Sequence, residues 1–215
     1  MNAVILTCSS LEEYVAHAQR AAGTDYPVCV IDKQYHVEPK DMRSQVLQCL
    51  SRLSEAHDTV LVSMGFCGGS WDQVVAPCRV VIPRVDDCVS LLLQRGDGYV
   101  PNLKEMGHLY VYERDPSESL MFRIGEEADK EVAEALIELY FANYHHLDII
   151  DTGFTDCYGE RYVEKAQAEA DRLHLALDYV PGGIHLLEKL VAGAWDEQFL
   201  VAERGHLIRH GDFFE

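Results

Sequence analysis

The chain has 215 residues, 36 of them acidic and 18 Lys or Arg, so its formal charge is −18 with histidine neutral. Acid in such excess excludes a nucleic-acid binder, which needs clustered Lys and Arg to displace phosphate counterions, and disfavours an anionic membrane surface for the same reason. Disorder is excluded too, because 48% of the residues are hydrophobic and aromatics run along the whole chain, ample for one large domain or two small ones.

The segment from Met1 to Cys8 has neither a basic leader nor a long apolar stretch, so no signal peptide is expected. No run approaches the ~18 apolar residues of a spanning helix. Ala3 to Cys8 reads as a short buried strand, and Ser9 or Ser10 caps a following helix that is acidic in its first turn and runs to about Ala22. Gly23 ends that helix, and Pro27 to Asp32 reads as a second strand. Beyond Tyr35 and His36, the stretch from Asp41 to about Ala56 places Met42, Val46, Leu50 and Leu53 at helical spacing. Asp58 to Met64 is a third strand, breaking into a turn with Gly65, Cys67, Gly68 and Gly69. Arg79 to Pro83 is a fourth, leading through Cys88 into a helix from Val89 to Gln94.

The rhythm then repeats. His108 to Tyr112 reads as a strand, Glu126 to about Tyr144 as a long amphipathic helix, and Leu147 to Asp151 as a strand. Tyr158 to His174 is a helix, Leu175 to Val180 a strand, Ile184 to Val191 a helix, and Phe199 to Ala202 a last short strand. Strands separated by crossover helices predict an α/β fold of two Rossmann-like halves with mainly parallel sheets. The halves are expected at residues 1–98, with the cysteine and histidine cleft, and 99–215, or the two form one continuous domain.

The seven cysteines, Cys8, Cys29, Cys49, Cys67, Cys78, Cys88 and Cys157, are an odd and widely spaced set. They read as reduced cytoplasmic thiols, some of them metal ligands or reactive groups. In a parallel sheet the carboxyl ends of the strands open on one edge, where ligands bind. Cys8 ends the first strand and His36 lies beyond the second. Cys67 sits in the glycine-rich turn after the third, and Cys88 follows the fourth at a helix start, where free N–H groups favour a thiolate. The fold itself would therefore bring four soft or borderline ligands to one edge. Thiolate with imidazole is ligand chemistry for zinc, iron or an iron–sulfur cluster, or for a bound low-valent metal cofactor.

Cys29, Cys49, Cys78 and Cys157 read as packing thiols. Gly65 and Gly68 let the backbone approach a cofactor closely, although the stretch lacks the Gly-x-Gly-x-x-Gly and Gly-Lys-Ser/Thr patterns of nucleotide loops. Arg84 is expected to clamp an anionic group of a cofactor or substrate, or to pair with Asp86 or Asp87. Asp151, Thr152 and Gly153 match the aspartic-protease tripeptide in letters only and read as a turn. His145 and His146 read as a polar helix terminus, His185 as a ligand contact or a helix start, and His108 has no assigned role.

With these residues in hand, the chain resembles the domain of unknown function 1638 family, found in anaerobic bacteria and archaea and often encoded beside corrinoid proteins and methyltransferases. The marks are Cys8, His36 with Pro39, the Gly-Phe-Cys-Gly of Gly65 to Gly68, and the Pro-Arg-Val-Asp-Asp-Cys of Pro83 to Cys88. Ile150 to Gly153 and Gly193 to Val201 extend them. The chain departs from the family pattern at Asp86, where histidine is usual, and at Gly107 to Tyr110, where Gly-Thr-Tyr-Tyr is usual. The resemblance implies a role in or beside corrinoid-dependent one-carbon metabolism. Three readings stay open: a metal or iron–sulfur centre on Cys8, Cys67 and Cys88 with His36; an accessory protein docking a corrinoid protein or methyltransferase, the corrinoid being on the partner; and a thiol enzyme with Cys67 or Cys88 as nucleophile.

Overall fold

A computed structural model of the protein describes residues 2–125 and 128–215. The elements are β1 (Ala3–Cys8), α1 (Glu12–Ala22), β2 (Val28–Ile31), α2 (Pro39–Leu53), β3 (Thr59–Val62), β4 (Val74–Val75), β5 (Arg79–Pro83) and α3 (Cys88–Leu93). They continue with β6 (His108–Val111), α4 (Lys130–Phe141), β7 (His146–Asp151), α5 (Glu160–Leu173), β8 (Ala176–Pro181), α6 (His185–Ala192), β9 (Phe199–Ala202), β10 (Leu207–Ile208) and α7 (Gly211–Phe214). Glu126, the expected start of the long helix, lies outside the described residues.

The chain divides into two compact units, Met1–Leu103 with Ile184–Glu215, and Lys104–Gly183. The first is built on a five-stranded sheet in the order β2-β1-β3-β5-β9. Its first four strands are parallel, and β9 runs antiparallel on β5 with Val80 opposite Ala202 and Pro83 opposite Phe199. Ile5, Leu6, Val60 to Val62 and Val80 to Ile82 are buried, as expected of strands covered on both faces. From β1 the chain crosses to β2 on one side and later to β3 on the other. The strand order thus reverses at β1 and β3, and their carboxyl ends form the edge where ligands bind in sheets of this kind.

The second unit is a three-stranded parallel sheet, β6-β7-β8, around Phe122, Leu147, Ile149 and Ala166. The α/β architecture with mainly parallel sheets agrees with the sequence reading. The division differs from residues 1–98 and 99–215, because β9 returns to pair with β5 and carries the chain from Ile184 onward into the first unit. A strand pattern shows that Phe199 to Ala202 is extended but not which edge it joins. Among the described residues, no helix is long and apolar enough to cross a membrane.

Candidate metal centre

Cys8 is the last residue of β1, fully buried and in register with Ile31 at the end of β2. Ser9, expected with Ser10 as a helix cap, lies instead in a 3-10 turn, with Leu11 at the cap of α1, and accepts from the Lys33 N–H at 2.9 Å, which ties the loop after β1 to the loop after β2. Ser10 Oγ donates to Cys8 Sγ at 3.1 Å. Beyond β2, the Asp32 carboxylate accepts from the Gln34 N–H at 2.9 Å and caps a 3-10 turn, Lys33–Val37, that carries His36.

The turn after β3 is locked to the loop after β5 by backbone alone. A Cβ on Gly65 would lie 2.6 Å from the Val85 carbonyl oxygen and 2.7 Å from the Asp87 nitrogen, so no other residue fits without moving the chain. Phe66 N–H donates to Val85 O at 2.9 Å, and Cys67 N–H to Asp86 O at 2.7 Å. Cys67 has φ of 49°, in the left-handed region that costs a non-glycine residue ~1–2 kcal/mol, and Gly68 follows at 65°. Ser70 Oγ donates to Cys67 O at 2.7 Å and closes the turn. On the facing loop, Cys88 opens α3, where the Asp87 carboxylate accepts from the Ser90 N–H at 2.9 Å.

These four devices bring the expected ligands together. The donor atoms of His36, Cys67 and Cys88 lie within 4.8 Å of one another. Cys8 stands outside that tightest trio, but Cys88 and His36 both act on its thiol. All three cysteines are buried and free, His36 is half-buried, and its Nε2 is buried with no hydrogen-bond partner among the described residues. The neighbouring Cys67 thiol, opposed by Cys8 and reinforced by burial, holds the Cys88 thiol well above its ordinary range. Cys8 is raised chiefly by its bond to Cys88 and by burial. Crowded, desolvated thiols keep their protons; a cation among them inverts that balance and makes thiolates. Sulfur with imidazole suits zinc, iron or an iron–sulfur cluster, so the donor set fits the group expected from the sequence.

Arg84 is employed differently from the anion clamp expected of it. Its Nε donates to Asp212 O at 2.7 Å, and its two terminal nitrogens donate to Glu197 O and Glu215 O, each at 3.1 Å. The guanidinium also stacks on the Tyr99 ring, 4.1 Å from its centroid. Carbonyls at the end of a helix lack internal partners, and Arg84 satisfies two of them at α7 and one in the loop before β9. Phe66, beside Cys67, packs on Phe213 of α7 with ring centroids 4.9 Å apart, so this C-terminal segment borders the cysteine turn.

Elsewhere, Asp151 Oδ1 accepts from the Gly153 N–H at 3.0 Å, which makes that tripeptide a turn. His185 begins α6 and pairs with Asp97 at 3.0 Å. His146 begins β7 rather than ending a helix, which corrects the sequence reading. It belongs to a second group, His108, His146 and Asp148, that the sequence reading missed. The available signal was two polar side chains at spacing two, His146 and Asp148, within an otherwise apolar strand.

The family model described as protein of unknown function (DUF1638) matches residues 30–191. The chain belongs to this family. No curated protein and no solved structure matches it. The DUF1638 match contains His36, Cys67 and Cys88, and Cys8 precedes it.

Proposed function

We propose that this DUF1638 protein binds a thiophilic metal, as a zinc or iron ion or an iron–sulfur cluster, on His36, Cys67 and Cys88 with Cys8 as the fourth donor. The observation that carries the reading is the approach of three donor atoms to within 4.8 Å of one another, together with a buried His36 Nε2 that lacks a partner among the described residues. Leaving such a nitrogen unmet costs ~1–3 kcal/mol, a deficit that a metal bond removes. A sulfur-rich set selects against magnesium and calcium, which take oxygen.

When bound, the metal supplies a Lewis acid or an electron carrier, with the His36 position as the exchangeable one. The chain's own residues hold it and shield it. Gly65 fixes the spacing of the two cysteine loops, the Ser10 hydroxyl bonds the Cys8 sulfur, and Phe66 with Phe213 keeps water from the cysteine turn. Burial and the raised pKa argue against Cys88 as a free nucleophile. A reducing, cytoplasmic setting and a place in or beside corrinoid-dependent methyl transfer, with a corrinoid protein or methyltransferase as partner, complete the proposal; the family resemblance supports that part.

The test is anaerobic purification with metal analysis and an absorption spectrum, which separates zinc from iron and from a cluster. Stoichiometric metal is expected, lost in Cys67→Ser and Cys88→Ser while the circular dichroism stays native. Wild-type protein that takes up neither zinc nor iron, or a Cys67→Ser variant that holds as much metal as wild type, would sink the reading.

A further inference from the structure

The unit Lys104–Gly183 carries its own group of ligand-type side chains. His108 opens β6 and His146 opens β7, and the parallel register sets them side by side. The same register aligns Tyr110 with Asp148, and Asp148 with Asp178 on β8. Side chains two apart share a face, so His108, His146, Asp148 and Asp178 lie on one face of three adjacent strands. The two imidazoles stack with centroids 4.4 Å apart and 10° between their planes. His108 Nδ1 is 2.7 Å from Asp148 Oδ2, and His146 Nδ1 is 2.6 Å from Asp178 Oδ2.

Two ordinary histidine–carboxylate pairs at a strand end would account for those bonds. They do not account for Asp148. Its residue is 1% exposed, and its Oδ1 is buried with no hydrogen-bond partner among the described residues. A buried carboxylate with one oxygen unmet is costly unless a charge lies against it.

We propose that His108, His146 and Asp148 form a second metal site, for a first-row divalent cation such as zinc, iron(II) or cobalt(II). Their donor atoms lie within 4.8 Å of one another. Two imidazoles and one carboxylate, with water in the remaining positions, are a donor set that zinc and non-haem iron both take. Water can reach it, since the side chains of His108 and His146 are 21% and 40% exposed. The His108–Asp148 contact is where a cation displaces a shared proton, because ligands must shed their protons to bind. Asp178 fills the outer role, holding His146 by Nδ1 and leaving the Nε2 lone pair for the metal. Nothing in this site is sulfur, and its ligands belong to a different compact unit from Cys8, Cys67 and Cys88.

Cobalt(II) alone is the probe, because thiolate ligation gives a charge-transfer band and nitrogen–oxygen ligation does not. Metal-free protein, reduced and anaerobic, is titrated and passed through gel filtration. Wild type is expected to retain two equivalents, one with the thiolate band. His146→Ala should retain one and keep the band, whereas Cys67→Ser should retain one and lose it. Asp178→Asn, which spares every direct ligand, should weaken the second equivalent by ~10–100-fold. Circular dichroism and the thermal transition verify that each variant is folded. A wild type whose retained cobalt all carries the thiolate band and survives in His146→Ala, or two equivalents in His146→Ala, overturns this site. A His146-dependent equivalent without any thiolate band supports it and overturns only the cysteine centre.

Discussion

At Gly65 the loop after β3 comes so near the loop after β5 that the spacing of Cys67 and Cys88 depends on one absent carbon. Gly65→Ala sets a methyl against backbone atoms at 2.6 and 2.7 Å, neither of which is the tip of a flexible side chain. Relief requires the loops to part, at a cost of ~1–3 kcal/mol by analogy with overpacked cores. The shift acts directly on the proposed metal ligands, so metal affinity should fall further than stability. Denaturant unfolding of the metal-free protein and competition with a chelator measure the two effects; an alanine variant equal to wild type in both would contradict this role. The convergence of His36, Cys67 and Cys88 was legible, because residues just past the carboxyl ends of parallel strands share an edge whatever the details. The use of Arg84 was not. Its partners are backbone carbonyls at Glu197, Asp212 and Glu215, and a carbonyl carries no signature in the sequence.

Among the elements, α7 is the one whose position depends most on remote contacts. It spans four residues, too few for an isolated helix to persist. Its hold comes from Phe213 against Phe66, the Tyr99 hydroxyl donating to Phe213 O, and the Arg84 guanidinium. Arg84→Met keeps much of the side-chain volume and removes the three bonds. A stability loss of ~1.5–3 kcal/mol is expected, with proteolysis appearing first around His210 to Phe214. Limited digestion read by mass spectrometry checks the site of cutting, and an unchanged pattern would remove Arg84 from this role. The strands and helices of the first unit follow the apolar periodicity closely, since local spacing decides which face a residue takes. Pairing is another matter. Nothing within Phe199 to Ala202 indicates an antiparallel partner more than a hundred residues earlier, and the domain division went astray there. The polar face shared by β6, β7 and β8 was hidden for a related reason: His108, Asp148 and Asp178 become neighbours only through strand register.

For the molecule as a whole, the thiols make stability depend on pH in a way that reports whether metal is bound. Burial raises Cys49 and Cys157 to about 11, and Cys8 and Cys88 are raised as well. Thiols of the unfolded chain titrate near ~8.5. Below that value both states of the metal-free protein keep these protons, and the thiols contribute no slope. Above it the unfolded chain sheds protons that the folded one retains, so stability falls by ~1.4 kcal/mol per pH unit for each such group. Cys49 and Cys157 stop contributing once pH passes about 11. A metal bound as proposed would hold its cysteine ligands as thiolates in the folded chain, whereas the same cysteines are thiols in the unfolded chain at pH 7. The unfolded state then binds more protons, and stability rises with pH up to ~8.5. The acidic excess behind the −18 charge is already ionised across this window and affects both forms alike. Denaturation midpoints at pH 7.0, 7.5, 8.0 and 8.5, with and without metal, should therefore diverge, the loaded curve climbing while the metal-free curve stays level. Parallel curves would mean that no thiolate is created on binding and that the buried cysteines are not ligands.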